Sequence, residues 1–366
     1  MDEKTIKNRI KAIRAQLRSK KLDCLILTAA ENVTYTTAFS GHDSWVLITP
    51  RSVCLFTDSR YTEQAAAECL GCRIIDRKGP MPKAIAAAIA RQKSIRTTGL
   101  DSRSPLSVLA QLKKNTKLRI KPVPNIAESC RAVKDPHEIK AIAAAAKIAW
   151  QSLALSLPKI KPAMTETALA GLIDFNMQKL NARTSFDTIV AFGPNASRPH
   201  HQPGTKKLRK NDTILIDFGA KYKGYCCDMT RCFTVGKVTP FYRRVYDAVY
   251  AAQQAAIKTI APGVKISVAD AAARQVLKDH NMPEYSHGTG HGLGLEVHEA
   301  PYVSATSDTV FQPGQIITIE PGVYIPGKLG VRIEDDILVT DSSHKVLSND
   351  RRHNFSKPEL KNYQIK

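Results

Sequence analysis

The fold class this sequence predicts is an α/β domain with a mixed sheet followed by an α+β domain. Three observations predict it. Between residues 22 and 123, short apolar strands alternate with helical segments, the pattern of an α/β layer. The segment Pro122-Val-Pro124-Asn125 then breaks that alternation. Beyond residue 135 two helices come first, and glycine-punctuated strands and two further helices follow, the segregation expected of an α+β domain. A chain of 366 residues is long for one core and sufficient for two. The expected boundaries are 1–125 for the first domain, 126–134 for a linker and 135–366 for the second domain.

In the first domain, residues 22–28 read as a buried strand, and 45–49 with 53–57 as a hairpin around Pro50-Arg51-Ser52. A helix over 60–68, a strand over 72–75 and an alanine-rich helix over 82–91 follow. Residues 97–100, 106–114 and 118–123 repeat strand, helix, strand. The second domain opens on Asp135-Pro136, with Glu138 at capping-box spacing, and its helix runs toward Leu155. Thr165-Glu166 starts a second helix that reaches Leu180. Strands are expected at 188–192, 213–219 and 227–235, and helices at 239–260 and 268–279. From Gly288 onward the chain reads as strand and loop, and no solenoid-period repeat is evident.

Composition narrows the function classes. A hydrophobic fraction of 43% is that of a globular protein, and no apolar run is long enough to span a bilayer. Met1-Asp2-Glu3-Lys4 offers no apolar signal core, so a cytoplasmic location is expected. Residues 4–21 are basic, with Ile6, Ile10, Ile13 and Leu17 on one helical face. They read as a helix packed on its own domain rather than a presequence. Of the eight cysteines, only Cys69 and Cys72 form a C-x-x-C, and no second half of a zinc site accompanies them. Reduced thiols are expected. The net charge of +21 is spread over the first helix, Lys113-Lys114, the 206–210 cluster and the tail beyond Arg351. No stacking or helix-reader pattern accompanies it, so no specific nucleic-acid role is expected.

The chemistry lies in four acids and one imidazole: Asp217, Asp228, His291, Glu320 and Glu334. Each falls in an apolar or glycine-rich stretch where an unpartnered charge is costly. If the strands around Tyr222-Lys223 form a mirrored hairpin, Asp217 and Asp228 stand opposite each other. Their Cβ atoms would then lie about 5 Å apart. Glu320 and Glu334 face each other by the same logic across the turn at 326–330. Between the pairs runs Ser286-His-Gly-Thr-Gly-His-Gly-Leu-Gly-Leu-Glu-Val-His298. Strict alternation puts His287 and His291 on one face and His298 on the other, although the glycines weaken that inference. Two divalent cations would offset the desolvation of four carboxylates and lower the pKa of a bound water, which points to hydrolysis. Carboxylates with a single imidazole suit manganese, with cobalt or zinc as alternatives.

These motifs together (Ile-Asp-Phe-Gly, Asp-Met-Thr-Arg, His-Gly-Thr-Gly-His, Ile-Glu-Pro-Gly and Val-Arg-Ile-Glu-Asp) resemble the pita-bread metallopeptidases. The likeness is to the Xaa-Pro aminopeptidase and prolidase branch, and the first 125 residues resemble its creatinase-type N-terminal domain. The resemblance implies that Asp217 chelates one metal, that Asp228 and Glu334 bridge both, and that His291 and Glu320 complete the other. It makes Glu320 the group that takes the proton of the attacking water. It places His200 or the adjacent His201 against the substrate, His298 at the tetrahedral intermediate, and His287 and Arg332 near a proline pocket. A purely structural alternative has Arg332 holding Glu334 or Asp336. Peptides with proline at the second position are the implied substrates. A homodimer is the implied assembly, with the loop Ser40–Ser44 bordering the partner's cleft.

An Xaa-Pro aminopeptidase is the leading reading and a dipeptide-restricted prolidase the alternative, since they share every ligand. Methionine aminopeptidases lack the N-terminal domain, and creatinase lacks the metal ligands. A pita-bread binding module is the non-enzyme alternative; such proteins lose ligands, and here all five are present.

Overall fold

Apolar strands in the first hundred residues build one layer, and the helices between them cover it. The computed structural model describes residues 1–116 and 118–348; the basic tail beyond Arg351 lies outside the described residues. The chain divides into two compact units, Met1–Arg131 and Ala132–Lys366.

The first unit runs α1 (Glu3–Ser19), β1 (Cys24–Leu27), α2 (Ala30–Thr37), β2 (Trp45–Ile48), β3 (Val53–Thr57), α3 (Thr62–Glu68), β4 (Arg73–Asp76), α4 (Met81–Ala90), β5 (Thr97–Asp101), α5 (Leu106–Asn115), β6 (Arg119–Val123) and α6 (Ile126–Arg131). Among the described residues its strands form a six-stranded sheet, ordered β4-β3-β2-β1-β5-β6. The β1–β2 and β2–β3 pairs are antiparallel, and the β3–β4, β1–β5 and β5–β6 pairs are parallel. The sheet is therefore mixed. Asp2 caps α1, accepting the Thr5 N–H, and the helix buries Ile6, Ile10, Ile13 and Leu17. This is the face the sequence periodicity marks. Two helices were not expected. One is α2, whose β-branched residues have poor helix propensity. The other is α6, which occupies most of the segment read as a linker and belongs to the first unit. Val133 and Lys134 continue into the second unit, where Val133 bridges to Gln315 and Lys134 N–H donates to Gly314 O at 2.8 Å.

The second unit opens on α7 (Pro136–Ser156), where the Asp135/Glu138 capping box forms as expected. Thr165 caps α8 (Glu166–Lys179). Next come β7 (Arg183–Thr184), β8 (Ile189–Phe192), β9 (Thr213–Phe218), β10 (Ala220–Tyr222), β11 (Tyr225–Cys226), β12 (Met229–Thr234), α9 (Pro240–Lys258) and α10 (Ile266–Asp279). The last part is β13 (Gly290–Gly292), β14 (Glu299–Val303), β15 (Ile316–Ile319), β16 (Gly322–Ile325), β17 (Leu329–Arg332), β18 (Asp335–Val339) and β19 (His344–Val346). Every strand pair here is antiparallel. Helices α7 and α8 pack on the β12-β9-β8 sheet through Ala149, Leu153, Ile173, Met177, Ile216 and Phe218. Helices α9 and α10 pack on the other strands through Val245, Val249, Ala273, Ile317, Val331 and Ile337. The α+β expectation is met.

Two registers set the site. The β10–β11 hairpin pairs Tyr222 with Tyr225, so Lys223 and Gly224 are its two loop residues. Both have positive φ, 50° and 86°, the signature of a type I′ turn. That turn is centred one position later than the mirrored hairpin expected. Asp217 therefore pairs with Thr230, not Asp228. Asp228 stays on the same face, one diagonal step away. On the second hairpin the register was legible. Ile319 pairs with Asp335 and Gly322 with Arg332, which sets Glu320 across from Glu334. They do not lie on two unbroken strands, however. Both occupy the gap where the β15–β18 ladder gives way to β16–β17.

Each of the eight cysteines is a free thiol. No helix among the described residues is long and apolar enough to cross a membrane.

Candidate active site

A cavity of about 530 Å³ opens in the second unit. Its wall includes nine of the residues singled out from the sequence: His200, Asp217, Asp228, His287, His291, His298, Glu320, Arg332 and Glu334. Phe186, Ile189, Pro199 and Tyr302 supply apolar surface beside them.

The strands deliver the acids side by side. Asp228, His291 and Glu334 each offer a ligand atom within 4.8 Å of the others, and all three are buried. His291 Nε2 lies 3.4 Å from Glu320 Oε1 and 3.7 Å from Asp228 Oδ2. Burial first, and then the charge of Glu334, push Asp228 far above the carboxylate range. Burial and then Glu320 do the same to Glu334. Glu320 is pushed up to about 7, mainly by burial. Its side chain is 17% exposed and lines the cavity. Burial holds His291 down at about 4, so the imidazole is neutral and its lone pair is available.

These observations test whether the donors suit a cation. Two like charges about 4 Å apart cost on the order of 4 kcal/mol at an effective dielectric near 20. Several such pairs would consume a typical folding stability of roughly 5–15 kcal/mol. Oδ1 of Asp217 and Oδ1 of Asp228 are buried without a hydrogen-bond partner, which is costly for an acceptor with nothing to accept. Hard oxygen donors with a neutral imidazole satisfy a divalent cation. The residues fit the group.

The hydrogen bonds around the acids have a direction. Arg332 donates from Nη2 to Asp217 Oδ2 at 2.6 Å, from Nε to Thr230 Oγ1 at 2.9 Å, and from Nη1 to Tyr324 OH at 2.8 Å. Thr230 passes its own proton to Glu334 Oε2 at 2.6 Å. Arg332 thus holds Asp217, not Glu334 or Asp336 as the structural alternative supposed. Thr230 carries the link to Glu334. Asp336 instead accepts the Asp228 backbone N–H at 3.3 Å. Tyr324 OH lies 3.1 Å from His287 Nε2, and His287 Nδ1 lies 2.7 Å from Gly288 O. A carbonyl only accepts, so the His287 proton sits on Nδ1, and Nε2 accepts from Tyr324.

His298 corrects the strict-alternation expectation. A register shift falls between His291 and Gly292, and the chain then leaves the strand. The His298 ring returns to within 4.3 Å of the His291 ring, on the cavity side. The two candidates at 200 and 201 also separate. His201 is buried against Glu166, with Nε2 2.9 Å from Oε2, whereas His200 lines the cavity. Gly290 of β13 faces Thr318 of β15 at close range. A Cβ there would meet Thr318 O at 1.9 Å, so the missing side chain lets β13 close on β15.

Thr230 and Tyr324 were missed in the sequence. Thr230 sits inside the quoted Asp228-Met-Thr-Arg, and Tyr324 lies two residues beyond the quoted Ile-Glu-Pro-Gly. The signal was a hydroxyl two or four residues from an acid; which way it points follows from the register alone.

Comparison with known proteins agrees with this geometry. The model of metallopeptidase family M24 matches residues 139–341, and that of the creatinase/prolidase N-terminal domain matches residues 9–133. An Xaa-Pro dipeptidase of Pyrococcus horikoshii is 32% identical over 349 residues, covering 94% of this chain and 97% of that protein. The solved Xaa-Pro dipeptidase from Bacillus anthracis superposes with a TM-score of 0.91 at 34% identity, over 94% of this chain and 98% of its own. The X-Pro aminopeptidase from Thermotoga maritima superposes with a TM-score of 0.86 at 32% identity, over 92% of this chain and 99% of its own. This chain, with its mixed-sheet N-terminal domain and its pita-bread second domain, belongs to metallopeptidase family M24.

Proposed function

We propose that the protein is a metal-dependent Xaa-Pro dipeptidase. The observation that carries this reading is the convergence of four carboxylates and a neutral imidazole on one cavity that also holds His200, His287, His298 and apolar surface. Dipeptidase takes the place of aminopeptidase as the leading reading. Relatives at 32% and 34% identity, each matched over nearly the whole chain, bear the dipeptidase name. The aminopeptidase stays as the second reading because a structure of that name matches at 32% identity.

Asp217, Asp228, His291, Glu320 and Glu334 would hold two divalent cations, with manganese the best match to the donor set. Such cations supply Lewis acidity and lower the pKa of a coordinated water. Glu320, at the cavity wall, takes the proton of the attacking water. The leaving proline nitrogen carries no amide hydrogen before cleavage, so that proton must reach it before the product amine departs. His298 is held below its ordinary pKa by burial and donates as a neutral imidazole to the oxygen that gains charge. His200, also on the cavity wall, contacts the substrate. His287 and Arg332 border the pocket for the pyrrolidine ring, which Phe186, Ile189, Pro199 and Tyr302 line with apolar surface. Homodimer assembly belongs to the same reading.

The test compares an Xaa-Pro dipeptide with the matching Xaa-Pro-Yaa tripeptide on the manganese-loaded protein. The dipeptidase reading expects cleavage of the dipeptide and little of the tripeptide. Preference for the tripeptide would return the assignment to aminopeptidase, and cleavage of neither would sink both.

A further inference from the structure

Arg274 lies on α10, one turn from Asp270. Its guanidinium grips that carboxylate through Nε at 2.9 Å and Nη2 at 3.2 Å. The same group donates from Nη1 to Tyr285 O and from Nη2 to His287 O, both at 2.9 Å. It also stacks 4.2 Å from the centre of the Tyr285 ring, and that ring lies 4.9 Å from the His287 ring. Asp270, fully buried, pins the far end of the turn, since it accepts the Thr289 hydroxyl at 2.6 Å. Neither Arg274 nor Asp270 is among the cavity-lining residues. Their connection to the cavity runs through the turn that carries His287.

We propose that Arg274 is a positioning residue for His287. Its planar fork spans two carbonyls two residues apart while it neutralises Asp270, and it stacks the Tyr285 ring behind the imidazole. That fixes the ring where Nδ1–H donates to Gly288 O and Nε2 accepts from Tyr324 OH. A lysine offers a single nitrogen and cannot make the carboxylate and both carbonyl bonds in this geometry. The kinetic part of this inference rests on the peptidase reading above; the structural part does not.

The test uses full-length Arg274→Lys, His287→Ala and the double variant. In Arg274→Lys, kcat/KM for an Xaa-Pro dipeptide should fall roughly tenfold to a hundredfold, with bound metal unchanged. In the His287→Ala background the same change should add less than about twofold. Independent, multiplying losses would overturn the proposal. Nitrogen-shift NMR of the His287 imidazole needs no substrate. The unsubstituted protein should show one tautomer, protonated on Nδ1, and Arg274→Lys a mixture. An unchanged imidazole spectrum in Arg274→Lys would also overturn the proposal. If the unsubstituted protein cleaves no Xaa-Pro peptide, the peptidase reading fails and the NMR arm still decides the role of Arg274. Should Arg274→Lys not fold, Arg274→Gln with Asp270→Asn removes the charge pair together and carries the same expectations.

Discussion

Arg332 donates from Nη2 to Oδ2 of Asp217 at 2.6 Å, in a pair whose side chains are 4% and 12% exposed. One guanidinium therefore orients a metal-ligand candidate, the Thr230 hydroxyl that serves Glu334, and the Tyr324 hydroxyl that serves His287. Arg332→Lys should keep the charge and lose this fork. Metal affinity is expected to fall about tenfold to a hundredfold, as for loss of a group that orients a ligand. Arg332→Ala leaves Asp217 buried without its cation and should cost about 3–5 kcal/mol in metal-stripped protein. Saturating manganese should recover most of that. Calorimetric metal titration and thermal melts with and without metal would check both, and unaltered metal affinity in Arg332→Lys would reduce the arginine to a packing role.

In metal-stripped protein the buried carboxylates should cost stability as pH rises from the ordinary carboxylate range through their raised folded values. The sign follows from Asp228 and Glu334, whose folded pKa values are raised well above the ordinary range by burial and then by neighbouring carboxylates, Glu334 for the first and Glu320 for the second. A raised folded pKa contributes stability that is present below the unfolded value and lost as pH climbs through the folded one. The imidazoles of His287, His291 and His298, held down by burial, oppose this only below about 7, where the unfolded chain binds protons that they do not. Metal-loaded protein should lack the decline, since the cation takes the place of the protons. Melting temperatures with chelator and with manganese across that range test the point; parallel curves would contradict it.

His298→Ala should fold, bind metal normally and lose most of its kcat, on the order of a hundredfold to a thousandfold. The basis is a ring 4.3 Å from His291 that lines the cavity and, among the described residues, makes no side-chain hydrogen bond to another segment. An unchanged kcat would assign His298 to structure.

The cysteines should react in a definite order, because the thiolate is the reactive form. Burial pushes Cys24, Cys130 and Cys232 up to about 11 and Cys226 up to about 12. Cys72 moves the other way, lowered chiefly by the hydrogen bond from the Cys69 thiol. Alkylation near neutral pH followed by peptide mapping should find Cys72 modified first. Early modification of Cys226, Cys227 or Cys232 would show that the sheet around Asp228 opens readily.

Much of this site was legible because it is written in local pattern. Asp135 and Glu138 mark a helix start by spacing alone, and Glu320 faces Glu334 because a short turn fixes the register between them. What was not legible depended on a single residue of register or on partners distant in sequence. The type I′ turn at Lys223-Gly224 slides Asp217 from Asp228 to Thr230. The irregular stretch 293–298 between β13 and β14 breaks the alternation and brings His298 back beside His291. The partner of Arg332 lies 115 residues away. Helix α2 was hidden by its threonines, which bond back to carbonyls of their own helix: Thr36 Oγ1 to Asn32 O and Thr37 Oγ1 to Val33 O.

Calorimetric titration of manganese into stripped protein, beside Asp228→Ala and Glu334→Ala, probes the site most directly. The expected result is two cations per chain for the unsubstituted protein, with tight binding lost in both variants and turnover lost with it. Tight binding that survives in both variants, or a stripped protein that takes up no cation at all, would contradict the account.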